Sequence, residues 1–215
     1  MNVLVIGANG QVGQKVVKEL ADSSHNAIAM VRKEEQVDKL KELGADKVVL
    51  GDLENDFSDA FEGAEAVIFA AGSGGSTGAD KTMTIDLWGA VKAAKLAEEK
   101  GVKRFVQLSS MGTPTPDAAD DSFKPYLVAK RVADDMLQST NLDYTIVRPG
   151  ALTDEEKTGK VEVSAEGFSS MEGRSIPRAD VAHVLVGVLE RPNTTHKVFE
   201  LLQGDHSCDE ALSSL

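Results

Sequence analysis

Tyr126 and Lys130 stand four residues apart, a spacing that puts two side chains on one face of a helix. A free phenol titrates near pH 10, at about three units above neutrality, and is a poor acid or base there. A neighbouring ammonium favours the phenolate, so the pair predicts a tyrosine whose pKa is pulled down and which can pass a proton. Pro125 suits a first helical position and would set Tyr126 in the opening turn. Upstream, the apolar run Phe105-Val106-Gln107-Leu108 ends in Ser109-Ser110. A hydroxyl at the C-terminal edge of a strand can hold a substrate carbonyl while charge develops on its oxygen. The spacing alone is not specific, because Tyr-x-x-x-Lys also describes an ordinary solvated helix face.

A second constellation opens the chain. Val3-Leu4-Val5-Ile6 reads as a buried strand, Gly7, Gly10 and Gly13 follow at the spacing GxxGxxG, and a helical pattern begins at Gln11. One glycine allows a tight turn, one lets backbone approach a phosphate, and one lets helix and strand pack closely. The free N–H groups at the helix start favour negative charge. The run predicts a pyrophosphate held by Gly7, Asn9, Gly10, Gln11, Val12 and Gly13, and hence a dinucleotide; a plain glycine turn in an unrelated α/β protein is the alternative. A nicotinamide bound there would add positive charge near the phenol, and Lys130 could also hold its ribose hydroxyls.

The second strand, Ala27 to Val31, runs into Arg32-Lys33, where an acid would hydrogen-bond the ribose of NAD. Arginine offers a planar fork of donors to a 2′-phosphate. The pair therefore favours NADP(H) over NAD(H), unless Arg32 and Lys33 are simply a solvated loop. Asp52, with Leu53 beside it, follows the third strand, where a carboxylate could meet an adenine amino group. Ala70, Ala71 and Gly72 end the fourth strand with side chains small enough for a cofactor to lie across the sheet edge. Ordinary turn chemistry would explain either segment as well.

These residues need a scaffold, and the apolar patterning supplies one. Strand-like runs at 3–6, 27–31, 47–50, 66–70, 104–108 and 144–147 alternate with helical runs at 11–23, 34–43, 57–62, 81–100 and 126–139. Short continuous apolar strands between amphipathic helices imply a parallel sheet covered on both faces. Right-handed crossovers make it a doubly wound α/β sheet. Residues 1–150 form the expected cofactor-binding core of one domain spanning 1–215. Residues 151–174 read as a polar loop with a short strand at 160–163, followed by a helix at 178–189 and a last strand at 198–202. This leaves a small substrate-side extension at the C-terminal end.

The chain has 215 residues, 41% hydrophobic and 27% charged, with a net charge of −12. That field repels polyanions, so nucleic acid and anionic membrane are not expected partners. Cys208 is the single cysteine, which excludes an intrachain disulfide. Its isolation, with no leader-like or membrane-length apolar run, fits a cytoplasmic protein. The four histidines show no ligand spacing, so no metal site is expected. Trp88 reads as core or as an oligomer surface, Met83, Met111 and Met171 as core or pocket lining, and residues 73–78 as a linker or a mobile gate.

Taken in order, GxxGxxG, Asp52, Ser110 and Tyr126-x-x-x-Lys130 resemble the short-chain dehydrogenase/reductase superfamily over roughly residues 1–150. The glycine spacing, Arg148-Pro149-Gly150 and Arg178-Ala179-Asp180-Val181-Ala182 are similar to its extended and atypical branches: NmrA-like proteins, biliverdin/flavin reductases and small sugar epimerases. The resemblance implies a Rossmann-type fold. It implies Ser110 as the catalytic serine with Ser109 beside it, Tyr126 as acid/base and Lys130 as its partner. It also implies phosphate contacts from the three glycines, Arg32 on the 2′-phosphate, Asp52 on the adenine, and Pro149 and Gly150 beside the nicotinamide. Two departures stand out. The substrate lobe of the sugar-nucleotide enzymes is mostly missing, and Asp86, in Thr84-Ile85-Asp86-Leu87-Trp88, stands near where the dehydrogenase branch has an asparagine.

The expected function is an NADP(H)-dependent oxidoreductase acting on a small carbonyl, quinone or flavin-like substrate. A redox sensor without catalysis and an epimerase or dehydratase with retained cofactor remain alternatives. A homodimer through paired long helices is a further expectation from the resemblance.

Overall fold

A computed structural model describes residues 1–75, 77–170 and 174–215. The first apolar run is β1 (Asn2–Ile6), and the alternating pattern continues through α1 (Gln11–Ala21), β2 (Asn26–Val31), α2 (Val37–Glu42), β3 (Lys47–Leu50) and β4 (Ala66–Phe69). Next come α3 (Ala79–Lys81), a π-helical stretch (Thr82–Leu87) and α4 (Trp88–Glu99), then β5 (Arg104–Leu108), α5 (Lys124–Gln138) and β6 (Asp143–Pro149). The C-terminal part adds β7 (Ala151–Thr153), β8 (Lys160–Ser164), β9 (Ser175–Pro177), α6 (Arg178–Gly187), β10 (Lys197–Gln203), β11 (His206–Ser207) and α7 (Cys208–Ser213).

The main sheet runs β11-β8-β10-β6-β5-β4-β1-β2-β3. Seven strands, from β10 to β3, are parallel to their neighbours, while β8 and β11 pair antiparallel. The order 3-2-1-4-5-6 is that of the doubly wound Rossmann sheet, whose crevice opens where the winding reverses, between β1 and β4. Both faces are covered, which is why the central strands are apolar throughout. Val3 and Val5 of β1 enter a layer with Val16 and Val17 of α1 and Val181 and Leu185 of α6. Leu4 and Ile6 point the other way, into a layer with Ala90 and Ala94 of α4 and Ala133 and Leu137 of α5.

Several sequence-based expectations need correction. The helical run at 81–100 is interrupted: one turn of α3 widens into the π-helical stretch before α4 begins. The run at 57–62 is a 3-10 turn, Ser58–Phe61. The polar loop after Gly150 carries β7, which pairs in parallel with β9 as a separate two-stranded sheet. The strand expected last, at 198–202, is followed by β11 and α7. Trp88 is half exposed, so it is not core, and Met83 is exposed too, whereas Met111 is buried. Met171, and Ser76 within the 73–78 segment, lie outside the described residues. Among the described residues no helix is long and apolar enough to cross a membrane.

Candidate active site

The three glycines divide the work as the spacing predicts. Gly7 turns the chain with φ +88°, and a Cβ there would sit 2.6 Å from the Ala71 Cα, so only hydrogen lets β1 and the end of β4 approach this closely. Gly10 precedes α1 with no side-chain cap, and its N–H donates to the Gly7 carbonyl at 2.9 Å. A Cβ on Gly13 would lie 2.1 Å from the Gly7 oxygen, so this residue lets α1 pack on the turn. The first turn of α1 carries no acidic residue. Its backbone donors and positive dipole end therefore face the crevice uncompensated, an arrangement suited to a diphosphate. The Gln14 amide fixes the loop by donating to the Asn9 carbonyl at 2.6 Å.

A cavity of about 310 Å³ opens beside this loop. Gly7, Asn9 and Gly10 form one wall, Arg32 and Gln36 a second, Gly51 and Leu53 a third, and Ala70, Ala71, Gly72 and Ser73 the fourth. All follow the C-terminal ends of parallel strands, where ligands bind in open α/β sheets. The Gln36 carboxamide accepts the backbone N–H groups of Arg32 and Lys33 at 3.2 and 3.3 Å and so shapes that corner. The Arg32 guanidinium makes no ion pair among the described residues, whereas Lys33 pairs with Glu35 at 3.2 Å. Across the mouth, Lys81 holds Glu54 at 2.7 Å.

Beyond Gly72 lies the second constellation. Tyr126 and Lys130 both project from α5 toward the end of β5. The Ser110 side chain lies close enough to the phenol to lower its pKa, and the Ser110 hydroxyl donates to the Met111 carbonyl at 3.0 Å. The Lys130 ammonium is buried and donates to the Leu108 carbonyl at 2.6 Å. The expected depression of the Tyr126 pKa is not found. Burial pushes the phenol up to about 12; the Asp86 and Asp134 carboxylates add to that, and the Ser110 hydrogen bond opposes it. Desolvation is the largest cause, so the phenol keeps its proton at neutral pH. Burial also holds Lys130 below its ordinary value, with Asp134 and Asp86 opposing.

Other expected site residues are placed differently. The Ser109 hydroxyl turns away from the crevice and donates to Asp134 at 2.9 Å. Asp52 is occupied by its own loop, accepting from the Glu54 N–H at 3.0 Å and the Asn55 amide at 3.3 Å. Pro149 is buried, its carbonyl accepting from the Met111 N–H at 3.0 Å, and Gly150 donates to Leu201 at 3.0 Å. Two carboxylates stand out that the sequence expectations did not place in the site. Asp134 follows Lys130 by one more helical turn, is fully buried, and gathers Gln107 at 2.7 Å, Ser109, and Arg148 at 2.9 Å. Its signal was the third polar position of a Tyr-x-x-x-Lys-x-x-x-Asp face. Asp86 is the other.

Comparison with known proteins places this chain in a family. The model of a family described as NAD(P)H-binding matches residues 7–192. A Bacillus subtilis relative named "Uncharacterized sugar epimerase YhfK" is 43% identical over 219 residues, covering all of both chains. A solved structure from Bacillus halodurans, provisionally named an NAD-dependent epimerase/dehydratase, is 51% identical and superposes with a TM-score of 0.98 over 100% of both chains. The oxidoreductase ylbE of Lactococcus lactis is 33% identical with a TM-score of 0.86, over 100% of this chain and 96% of that one.

Proposed function

This chain belongs to the NAD(P)H-binding family of Rossmann-fold enzymes of oxidoreductase and epimerase type, and from that premise we propose that it is an NADP(H)-dependent reductase of small carbonyl, quinone or flavin-like compounds. The observation that carries this reading is the half-buried Tyr126 phenol, which projects from α5 beside Ser110 at the end of β5 and whose pKa is pushed up to about 12. A group that keeps its proton at neutral pH suits the reductive direction, in which an oxygen must be protonated as it gains charge.

NADPH held in this crevice would supply the hydride. Ser110 orients the substrate oxygen, and Tyr126 gives its proton to that oxygen, so a C=O becomes CH–OH. Lys130 supports the phenol from the same helix face, one turn on. Gly7, Gly10, Gly13 and the start of α1 hold the diphosphate. The Arg32 fork on the cavity wall, with no ion pair among the described residues, supports a 2′-phosphate, and with it NADP(H) rather than NAD(H).

Tyr126→Phe tests the reading directly. Turnover of a quinone such as 9,10-phenanthrenequinone with NADPH should fall by about a hundredfold or more, while NADPH affinity, measured by fluorescence titration, stays near the wild-type value. Undiminished turnover would remove the proton role. The relatives named as epimerases favour a second reading, in which the same tyrosine serves an epimerisation with cofactor retained. Nicotinamide nucleotide that stays bound through purification, with no net consumption during turnover, would select it.

A further inference from the structure

One face of α5 carries Tyr126, Leu127, Lys130, Asp134 and Leu137 at helical spacing, and all but Tyr126 are buried. Phe123 heads that face, one turn before Tyr126 and two before Lys130, yet it is 48% exposed. Its ring lies against the Tyr126 ring, with 5.1 Å between centroids and 33° between planes, within the range of aromatic stacking. The other exposed apolar side chains of α5, Val128, Val132 and Met136, stand on a different face of the helix. The backbone under Phe123 is fixed. Its N–H donates to the Asp120 carbonyl at 2.9 Å, and its carbonyl accepts the Leu127 N–H at 3.2 Å. The adjoining Lys124 pairs with Asp117 at 2.6 Å. A large aromatic ring is thus held half open, in contact with the proton-donating phenol.

We propose that Phe123 is a substrate-contacting residue: its exposed ring is a stacking platform, and the compounds reduced at Tyr126 are planar conjugated rings, quinone or flavin-like, in preference to aliphatic carbonyls. This rests on the reading of Tyr126 as proton donor and narrows the substrate class of that same site. Because the two side chains touch, an oxygen placed to take the Tyr126 proton brings the ring that bears it beside Phe123. The face of a phenyl ring is negative and its edge positive, so it attracts the electron-poor ring of a quinone or an oxidised flavin. Covering the open part of Phe123 also removes apolar area from water, and a flat, wide partner covers more of it than a short chain does. An aliphatic ketone has neither the π system nor the area.

Two substrates and three variants test this. With NADPH, kcat/KM is measured for 9,10-phenanthrenequinone, which is planar and conjugated, and for diacetyl, which is aliphatic. In Phe123→Ala the ratio of the first to the second should fall about tenfold, the loss of one stacked ring. Phe123→Leu keeps apolar bulk without a π face and should fall nearly as far, whereas Phe123→Trp should hold the ratio at or above wild type. Riboflavin supplies a readout without turnover, because its fluorescence is quenched when its ring stacks on an aromatic side chain. Its dissociation constant from the protein saturated with NADP⁺ should rise about tenfold in Phe123→Ala. A ratio within about twofold of wild type in Phe123→Ala would overturn the proposal. A wild-type ratio in Phe123→Leu would overturn it too, since bulk alone would then suffice. Equal losses for both substrates would mean that Phe123 only supports the Tyr126 ring, and wild-type protein that leaves riboflavin fluorescence unchanged would likewise remove the platform. Persistent turnover in Tyr126→Phe would instead defeat the proton role alone, because the riboflavin titration does not depend on it.

Discussion

At the scale of single residues, charges in this site act according to whether they are already matched. Arg32 and Lys33 are adjacent and carry the same charge, yet Lys33 is paired with Glu35 at 3.2 Å, while Arg32 lines the cavity wall without an ion pair among the described residues. Arg32→Ala should therefore weaken NADPH by about ten- to a hundredfold, the range of one or two charge-assisted hydrogen bonds. NADH should change less than about threefold, because it carries no 2′-phosphate. Fluorescence titration of the same preparation with both nucleotides makes the comparison, and equal losses would show that Arg32 supports the fold of the corner rather than the phosphate. Residue types and spacing made the glycine loop, Tyr126, Lys130 and Ser110 legible in the chain alone. Burial was not legible. The spacing suggested that Lys130 would lower the Tyr126 pKa, but desolvation is the largest cause and raises it, and desolvation depends on how α5 lies against β5. Ser109 and Ser110 differ for the same reason: successive residues at a strand end point to opposite sides, and Ser109 takes the side of Asp134.

At the scale of elements, the strand–turn–helix unit at the N-terminus depends on a backbone contact more than on any side chain. A Cβ at position 13 would lie 2.1 Å from the Gly7 carbonyl oxygen, while one at position 10 would lie 3.2 Å from the same atom. Backbone cannot swing away as a flexible side chain does, so Gly13→Ala must push α1 off the turn. It should cost about 1–3 kcal/mol of stability, as overpacking does, and lower NADPH affinity by more than about tenfold as the helix start shifts. Gly10→Ala, needing a shift of a few tenths of an ångström, should leave the urea midpoint near wild type. Similar midpoints for the two variants would mean that the loop is far more pliant than this packing implies. The alternation of elements was readable because strand and helix periods differ and each central strand is apolar on both faces. The interruption at Thr82–Leu87 was not readable, since the side chains from Lys81 to Lys100 suit a continuous helix. Within that stretch Asp86 accepts the Ser73 N–H, a tertiary contact that the sequence does not display. The short β7–β9 pair escaped for lack of length, three residues each, too few to show a period.

At the scale of the whole molecule, one buried cation adds to the β10–β6 ladder and the α1–α6 packing that join the parallel core to the C-terminal extension. Arg104, at the start of β5, donates to the Asp143 carbonyl at 2.7 Å and the Thr145 hydroxyl at 2.7 Å on β6, and to the Val188 carbonyl at 2.7 Å and the Leu189 carbonyl at 3.3 Å beyond α6. It also reaches the Thr194 hydroxyl, at 3.3 Å, in the turn that leads to β10. Burial lowers the guanidinium to about 10, still well above neutrality, so the side chain is charged throughout the ordinary pH range. A cation at the C-terminal end of α6 meets the negative end of that helix and its free carbonyls together, which explains how it is tolerated without a carboxylate in contact. Arg104→Met fills much the same space but leaves several buried acceptors without donors. The expected cost is about 3 kcal/mol or more, from hydrogen bonds to a charged group and the desolvated carbonyls left behind. Lysine, with one nitrogen in place of a planar fork, should recover only part of it. The measurement is a urea titration: the midpoint falls with the slope unchanged if the loss is purely one of stability. A shallower slope would mean instead that the α6–β10 segment separates from the sheet before the rest unfolds. Hydrogen exchange would then show protection lost in α6 and β10 while β1 and β4 keep theirs. A variant with the wild-type midpoint and slope would show that the carbonyls find other donors, and that the β10–β6 ladder and the apolar contacts of α6 with α1 suffice to hold the extension.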